Sequence, residues 1–316
     1  MPYTPPSLTD VQYAAERIAP YANRTPVLTS SSINKMVGAN LYFKCENFQK
    51  VGVFKFRGAC NAVFSLSIAE AAKGVATHSS GNHGAALALA GSLRNIPVHV
   101  VMPNNAPNIK KDAVAGYGAE ITYCEPTLDA RESNLNKILD STGAIMIHPY
   151  NDERIIAGQG TAALELLEEY PKLEVVMTPI GGGGLMSGTC ISAKGINSKI
   201  TVVGAEPKGA DDAYQSLNKG EIVPQTDPQT MADGLLTSLG VKTFPIIKEH
   251  VQEIITVSEE NIVKAMKLVW DELNIVIEPS SAVVLGALFE DPYTMKGKKV
   301  GMILSGGNAD LENLPW

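Results

Sequence analysis

Short apolar segments alternate with amphipathic segments along most of this 316-residue chain, and this alternation constrains the fold more than any other feature. In a first series, helical segments separate four candidate strands, at residues 74–78, 98–102, 120–123 and 144–147. A second series has candidate strands at residues 175–180, 200–204, 253–257 and 299–304. Strands that alternate with helices pair in parallel and are joined by right-handed crossovers. The sequence therefore predicts an α/β fold.

The two series of strands predict two domains, because each series can form its own sheet with helices on both faces. We predict two three-layer α/β/α domains with mainly parallel, twisted sheets. The smaller domain, residues 74–150, is inserted in a larger one that comprises residues 1–73 and 151–316.

Other segments complete the predicted larger domain. Apolar residues at helical spacing predict a helix over residues 11–21, with Thr9 or Asp10 as its N-cap. Residues 41–45 have the pattern of a strand, and residues 56–66 and 153–169 have the pattern of helices.

Composition argues against several classes of protein. A formal net charge of -7 argues against nucleic acid or an anionic membrane as the main partner. The first ten residues lack the features of a signal peptide, and no apolar run reaches the ~18 residues of a membrane span. The cysteines are scattered and form no C-x-x-C pair, which is typical of buried thiols in a reducing cytoplasm. They are Cys45, Cys60, Cys124 and Cys190.

Lys55 lies between two phenylalanines in the segment V-F-K-F-R-G, residues 53–58. An unpaired ammonium group in apolar surroundings is costly, so such a lysine tends to lose its proton or to find a partner. A neutral lysine amine is a nucleophile that can form a Schiff base. The alternative is a lysine that reaches the surface from the start of a helix. Glycine-rich turns elsewhere, which suit a phosphate and an aromatic ring, favour the first interpretation.

Four consecutive glycines, residues 181–184, follow the candidate strand at 175–180. Glycines let successive backbone N–H groups face one anion, with no Cβ in the way. A dinucleotide fingerprint needs a third spaced glycine, and a Walker A loop needs Lys-Ser/Thr, and both are missing here. The turn is therefore predicted to bind the phosphate of a smaller ligand. The alternative is a tight turn that only allows close helix–sheet packing.

Two further turns follow predicted strands. The turn S-S-G-N-H-G, residues 79–84, places hydroxyl, amide and imidazole groups at the start of an alanine-rich helix, which suits a carboxylate ligand. Ordinary helix capping by serine or asparagine is the alternative. The turn S-G-G-N, residues 305–308, places Ser305 at the end of a strand as a hydrogen-bonding group. In parallel sheets, ligands bind at the carboxyl ends of the strands, where such turns lie.

These motifs, in this order, resemble the serine/threonine dehydratase family of fold-type II pyridoxal-phosphate (PLP) enzymes. Within that family, the chain resembles the serine racemases most, above all over residues 205–216, A-E-P-K-G-A-D-D-A-Y-Q-S. The resemblance covers nearly the whole length, and the combination of motifs is much more specific than any single one. No C-terminal regulatory domain follows Trp316 in this sequence, unlike in the large biosynthetic threonine deaminases.

The resemblance implies roles for the residues of these motifs. Lys55 would bind PLP covalently and act as a base on one face of the substrate Cα, with Ser80 as the acid/base on the other. Phe54 would lie against the pyridine ring, Asn82 would bind its 3′-oxygen, and Ser305 would meet its nitrogen. The phosphate would be held by Gly181, Gly182, Gly183, Gly184 and Leu185. The substrate would be bound by Ser79, Asn82, His83 and Ser238.

The resemblance also implies a divalent cation, Mg²⁺ or possible substitutes Ca²⁺ and Mn²⁺, bound by Glu206, Asp212 and the carbonyl of Ala210. Two carboxylates and a carbonyl suit a hard cation, whereas the residues alone would equally fit a solvated acidic loop. Animal serine racemases bind ATP between subunits, and part of that site matches this chain at Ser30, Ser31, Ser32 and Lys50. The animal pattern has a lysine near Asn274, so activation by ATP stays open. A homodimer is implied.

The expected function is that of a PLP-dependent serine racemase that also dehydrates L-serine or L-threonine to pyruvate or 2-oxobutanoate. One alternative with the same chemistry is an L-threo-3-hydroxyaspartate ammonia-lyase, or a plain catabolic serine/threonine dehydratase. A second alternative is a sensor or binding protein that has the same fold without PLP.

Overall fold

Ten strands and thirteen α-helices alternate along residues 3–79 and 81–316, the part of the chain that the computed structural model describes. The helices are α1 (Leu8–Ile18), α2 (Ser31–Val37), α3 (Lys55–Ser65), α4 (Ile68–Ala71), α5 (Asn82–Arg94), α6 (Asn108–Gly116), α7 (Leu128–Thr142), α8 (Glu153–Glu169), α9 (Gly184–Ile196), α10 (Asp212–Lys219), α11 (Thr243–His250), α12 (Glu259–Leu273) and α13 (Pro279–Glu290). The strands are β1 (Val27–Leu28), β2 (Asn40–Cys45), β3 (Val75–His78), β4 (Val98–Pro103), β5 (Glu120–Cys124), β6 (Ile145–Met146), β7 (Val175–Pro179), β8 (Thr201–Pro207), β9 (Val251–Val257) and β10 (Lys299–Leu304).

The strands form two twisted-sheet units of the predicted kind. The larger sheet has the order β1-β2-β10-β7-β8-β9, and the smaller one has the order β5-β4-β3-β6. All neighbouring strands are parallel except β1 and β2. Parallel strands need crossover connections, and the helices between the strands supply them. The predicted α/β fold with mainly parallel sheets is confirmed.

The smaller sheet lies within the segment predicted to be the small domain. Its strands all fall between Val75 and Met146. Helix α3 belongs to an earlier part of the chain but packs beside this sheet, because Phe56 and Val63 share a hydrophobic cluster with Val75 and Val100. The core thus continues across the predicted boundary at residues 73 and 74. The division into residues 74–150 and the remainder stays a prediction.

The first helix begins earlier than predicted. Ser7, rather than Thr9 or Asp10, is the N-cap of α1, and its hydroxyl accepts a hydrogen bond from the Asp10 N–H at 3.3 Å. The Asp10 carboxylate accepts one from the Ser7 N–H at 2.7 Å, which completes a capping box. The helix ends at Ile18 instead of residue 21, because Pro20 lacks the N–H needed to continue it.

Other predicted elements match more closely. The helix over residues 153–169 and the strand over residues 299–304 have the predicted bounds, while β6 is two residues long instead of four. Strand β9 begins at Val251 instead of residue 253, and β8 continues to Pro207, so that Glu206 lies within a strand. The four cysteines are buried and free, as predicted. Among the helices of the described ranges, none has the length and hydrophobicity that a membrane span requires.

Candidate active site

The predicted site residues converge at the carboxyl ends of strands from both sheets. The turns at 181–184, 305–308 and 79–84 follow β7, β10 and β3 respectively. The backbone N–H of Phe54 donates to the Ser305 carbonyl at 2.9 Å, which places the start of α3 beside the second of these turns. The Asn308 amide donates to Oδ1 of Asn82 at 3.0 Å, which joins the third turn to the second.

Lys55 is the first residue of α3 and is half-buried, which favours the interpretation as a shielded amine over that of a surface lysine. Its Nζ donates to the carbonyl of Pro149 at 3.1 Å and lies 5.2 Å from the centroid of the Phe54 ring. Burial lowers the pKa of Lys55 to about 8, and the negative charge of Glu278 opposes this shift. A pKa in this range leaves an appreciable fraction of the amine neutral near physiological pH, and the neutral amine is the nucleophilic form.

Phe54 packs in a small apolar cluster below this amine. Its half-buried ring contacts four buried side chains from α8, α9 and β10: Ala162, Ala163, Leu185 and Ile303. The ring is therefore fixed between the start of α3 and the glycine turn.

The glycine turn has buried backbone donors without partners. Residues 181–186 are fully buried. Within the described residues, no group accepts a hydrogen bond from the backbone N–H of any residue from Gly181 to Met186. Since buried N–H groups are nearly always paired in proteins, six adjacent exceptions at the start of α9 indicate an anionic ligand.

Close packing also demands glycine at these positions. A Cβ on Gly182 would lie 2.3 Å from Cγ of Tyr150, and one on Gly184 would lie 3.0 Å from Cβ of the same tyrosine. Gly183 has a left-handed φ of 86° and faces Thr243. The packing interpretation and the ligand interpretation of this turn are therefore both supported. Tyr150 is a residue of the site that the sequence analysis missed.

The turn at 79–84 is held by its own side chains. The Ser79 hydroxyl accepts hydrogen bonds from the N–H groups of Gly81 at 3.3 Å and Gly84 at 3.1 Å. Nε2 of the buried His83 faces the Ile147 carbonyl at 3.2 Å, while Nδ1 has no partner among the described residues. Burial holds the pKa of His83 well below its usual range, so the ring is neutral with its proton on Nε2. Ser80 lies outside the described residues.

Asn82 has partners on both ends of its amide. Its Nδ2 donates to the Glu278 carboxylate at 3.1 Å, and its Oδ1 accepts from Asn308. Burial raises the pKa of Glu278 to about 7, with a further contribution from the charge of Asp233. The sequence analysis missed Glu278, whose only signal is a lone acidic residue between an apolar segment and Pro279.

The two remaining predicted site residues are Ser305 and Ser238, and each makes a hydrogen bond within the protein. Ser305 is almost fully buried, and its carbonyl binds Phe54 as described above. Ser238 is half-buried, and its hydroxyl accepts a hydrogen bond from the Gln225 N–H at 2.7 Å. The structure thus assigns the Ser238 hydroxyl to the neighbouring loop.

The proposed cation ligands are buried, which rules out a solvated acidic loop. Glu206 and Asp212 are at most 1% exposed, and the Ala210 backbone lies between them in a short 3-10 helix. The Glu206 carboxylate accepts hydrogen bonds from the N–H groups of Ala213 and Tyr214, at 3.1 and 2.9 Å. Oδ1 of Asp212 has no partner among the described residues. Burial raises the pKa of both carboxyls, to about 9 for Glu206 and about 7 for Asp212.

The residues that match the animal ATP site lie at the start of α2 and in a short 3-10 helix, Lys50–Gly52, that precedes α3. Ser30 is the N-cap of α2, and its hydroxyl donates to Glu272 of α12 at 3.5 Å, two residues before Asn274. Ser31 and Ser32 are exposed on the first turn of α2, and Lys50 is half-buried. Asn274 ends α12 in the left-handed region, with a φ of 55°.

Comparison with known proteins supports the same kind of site. Residues 18–306 match the family model described as pyridoxal-phosphate dependent enzyme. The chain belongs to this family. It is 53% identical to a serine racemase of Dictyostelium discoideum, over 98% of this chain and 96% of that one. It is 52% identical to a β-hydroxyaspartate dehydratase of Paracoccus denitrificans, over 98% and 99%. The structure of maize serine racemase superimposes with a TM-score of 0.96 at 45% identity, over 98% and 95%.

The residues of the site fit PLP, the cofactor of this family. The unpaired N–H groups of residues 181–186 suit its phosphate, and the amine of Lys55 suits its aldehyde. Nδ2 of Asn82 donates to the Glu278 carboxylate and, because an NH₂ group has two donors, a second N–H can serve the ring oxygen.

Proposed function

We propose that this chain interconverts L- and D-serine and dehydrates L-serine or L-threonine to pyruvate or 2-oxobutanoate. The observation that carries the proposal is the position of Lys55, a half-buried amine with a pKa of about 8 beside a turn of unpaired buried N–H groups. The 53% identity to the Dictyostelium serine racemase supports the choice of substrate.

Bound PLP supplies an electron sink that weakens the bond between the substrate Cα and its hydrogen. The chain's own residues hold this cofactor: Lys55 at the aldehyde, residues 181–185 at the phosphate, Phe54 against the ring, Asn82 at the ring oxygen and Ser305 at the ring nitrogen. The Ser305 hydroxyl at the ring nitrogen would not enforce a positive charge there, unlike a carboxylate, and this would favour loss of a β-substituent.

Two residues move protons in the proposed mechanism. The Lys55 amine removes the Cα proton from an L-amino acid, and its low pKa makes the neutral base available. Ser80 supplies or removes the proton on the opposite face, which racemisation requires and elimination from the L-isomer does not. Ser79 and Asn82 hold the substrate carboxylate in this proposal. The neutral His83, whose N–H faces Ile147, offers an acceptor at Nδ1 and so contributes no donor to that carboxylate.

We further propose that Glu206, Asp212 and the Ala210 carbonyl bind Mg²⁺ or a similar hard cation. Buried carboxylates with raised pKa and an unpaired oxygen are costly unless a cation or proton balances them. ATP as an activator stays a weaker proposal, because Asn274 stands near the position of a lysine in the animal enzymes. We also propose a cytoplasmic homodimer, in keeping with four reduced cysteines.

A second candidate function is the dehydration of 3-hydroxyaspartate. The 52% identity to the Paracoccus β-hydroxyaspartate dehydratase favours it, and the same site would perform the chemistry. It differs from the first candidate in the second carboxylate of the substrate.

The test is to incubate the purified enzyme with L-serine, L-threonine and L-threo-3-hydroxyaspartate, with chiral analysis of the amino acids and assay of the keto acids. D-Serine and pyruvate from L-serine support the main proposal. Turnover of 3-hydroxyaspartate alone would replace it by the second candidate. No turnover of any of the three, with bound PLP, would contradict both.

A further inference from the structure

The loop that follows β6 contacts both ends of the proposed cofactor site. The carbonyl of Pro149 accepts a hydrogen bond from Nζ of Lys55 at 3.1 Å. At the next residue, the ring of Tyr150 lies against Gly182 of the glycine turn. Two adjacent residues thus connect the amine that would bind the aldehyde to the turn that would bind the phosphate.

The contact between Tyr150 and the glycine turn is extensive. A Cβ on Gly182 would lie within 2.4 Å of three ring atoms, Cγ, Cδ1 and Cε1. A Cβ on Gly184 would lie 3.0 Å from Cβ and 3.1 Å from Cα of Tyr150. Because the four glycines have no side chains of their own, the surface that supports Gly182 and Gly184 on this side is the tyrosine.

The loop itself is held in place from two sides. Nδ1 of His148 accepts hydrogen bonds from the N–H groups of Tyr150 at 3.3 Å and Asn151 at 3.0 Å. The His148 ring also meets the Tyr150 ring edge-on, with centroids 4.6 Å apart. Oδ1 of Asn151 accepts from the Lys242 N–H at 2.8 Å. Burial lowers the pKa of His148 to about 4, so its Nδ1 remains an acceptor at neutral pH.

We propose that Tyr150 is a positioning residue that fixes the spacing between Lys55 and the glycine turn. This inference rests on the proposed function, since the spacing matters because one cofactor must reach both ends. The half-buried Tyr150 ring has two rotatable bonds, so it can hold the glycine turn in place at little entropic cost. Loss of the ring would leave a space beside four glycines, the residues with the most flexible backbone.

The phenolic hydroxyl of Tyr150 is expected to contribute less than the ring to the position of the glycine turn. Burial raises the pKa of Tyr150, and a hydrogen bond with Thr237 opposes this shift. Thr237 is exposed, so water can replace that hydrogen bond. The ring rather than the hydroxyl is therefore expected to carry the effect, which separates the Phe variant from the Ala variant.

The experiment compares Tyr150→Ala, Tyr150→Phe and Tyr21→Ala with the wild-type enzyme. Tyr21 is a matched control, because it is a half-buried tyrosine stacked on Phe64, with centroids 4.0 Å apart, outside the cleft. Three quantities are measured: the Kd of PLP for the apoenzyme, the ³¹P chemical shift of bound PLP, and the melting temperature.

Tyr150→Ala is expected to raise the Kd of PLP by about tenfold or more, the factor that follows from the loss of one supporting contact. It is also expected to move or broaden the ³¹P signal. Tyr150→Phe should keep the Kd of PLP within about threefold of wild type and leave the ³¹P signal in place. Tyr21→Ala should lower the melting temperature without changing the Kd or the ³¹P signal.

Equal Kd values for Tyr150→Ala and Tyr21→Ala, with an unmoved ³¹P signal, would overturn the inference. If Tyr150→Ala does not fold, Tyr150→Leu replaces it, since it removes the same ring contact and must give the same result. A wild-type protein that does not bind PLP would contradict the proposed function itself. Wild-type binding with normal binding by the Tyr150 variants would contradict only the role of Tyr150.

Discussion

The side-chain amide of Asn82 donates to the carboxylate of Glu278 at 3.1 Å, although the two residues lie 196 positions apart in the chain. Glu278 is buried, and its charge also acts on Lys55, whose pKa it raises against the stronger effect of burial. The carboxylate thus both orients the amide that would face the cofactor oxygen and tunes the amine that would bind the aldehyde.

The rate at which the apoenzyme takes up PLP should rise with pH through a midpoint of about 8. Burial lowers the pKa of Lys55 from its usual value to this range, and only the neutral amine is a nucleophile. Glu278→Gln removes the negative charge that favours the ammonium form, so the midpoint should move to lower pH. The midpoint is measured by stopped-flow absorbance from roughly pH 6 to 11, a range that includes both the expected midpoint and the ordinary pKa of lysine.

Glu249→Gln is the control for this measurement, because Glu249 is a 70% exposed carboxylate beside His250. Its midpoint should equal that of wild type. A wild-type midpoint near the ordinary lysine value would show that burial does not lower the pKa of the amine. The same midpoint in Glu278→Gln and wild type would show that Glu278 does not act on it.

Arg57→Met should destabilise the protein by about 3–5 kcal/mol, because it leaves buried carboxylates without their partner. The fully buried guanidinium binds Glu46 at 2.7 Å and Glu165 at 2.8 Å. Arg24→Met is the control, since the exposed pair of Arg24 with Glu168 is worth about 0–1 kcal/mol. Urea unfolding of the apoproteins measures both. Equal losses in the two variants would show that burial does not strengthen the Arg57 network.

Mg²⁺ should raise the melting temperature through Glu206 and Asp212. A ligand that binds only the folded state stabilises it by about 2.7 kcal/mol at a hundredfold excess over its Kd. Glu206→Ala should lose this response, whereas Glu221→Ala, at an exposed position, should keep it. Thermal unfolding with Mg²⁺ or with chelator measures the effect. If the chelator changes nothing in wild type, the two buried carboxylates are balanced by protons instead.

Ser80→Ala should lower the conversion of L- to D-serine by about 10²–10⁴-fold, the usual cost of removing one positioned acid/base. Dehydration of L-serine should fall far less, since it uses the Lys55 face. Dehydration of D-serine should be lost together with racemisation. Chiral chromatography and a pyruvate assay on the same samples give all three rates. Equal losses of racemisation and L-serine dehydration would mean that Ser80 shapes the whole site.

Much of the fold could be predicted because the periodicity of apolar residues and the residues that form turns are local features of the sequence. The strand over residues 299–304 and the helix over residues 153–169 have the predicted bounds. The N-cap of α1 was missed although residues 7–10 have the Ser-x-x-Asp spacing of a capping box, which the reciprocal bonds of Ser7 and Asp10 form. The position of Glu206 at the end of β8 depends on pairing with β9, which lies some fifty residues later in the chain.

The site was predictable where function demands an unusual residue type in an unusual place, as at Lys55 and residues 181–184. It was not predictable where an ordinary residue acquires its role through long-range packing. Tyr150 and Glu278 are such cases, since nothing in their local sequence announces contact with Gly182 or Asn82. Substrate binding by Ser238 stays a prediction, and its hydroxyl also accepts a hydrogen bond from the loop at Gln225.

The most direct test of the account is the steady-state turnover of L-serine by Lys55→Ala, measured as ammonia release and as D-serine formed. The variant removes an amine that makes one hydrogen bond, to Pro149, so the fold should persist and its melting temperature should remain close to that of the wild-type apoprotein. We predict that both products disappear and that the absorbance band of covalently bound PLP is lost. Retained ammonia release by the folded variant would contradict the assignment of Lys55 and the mechanism built on it.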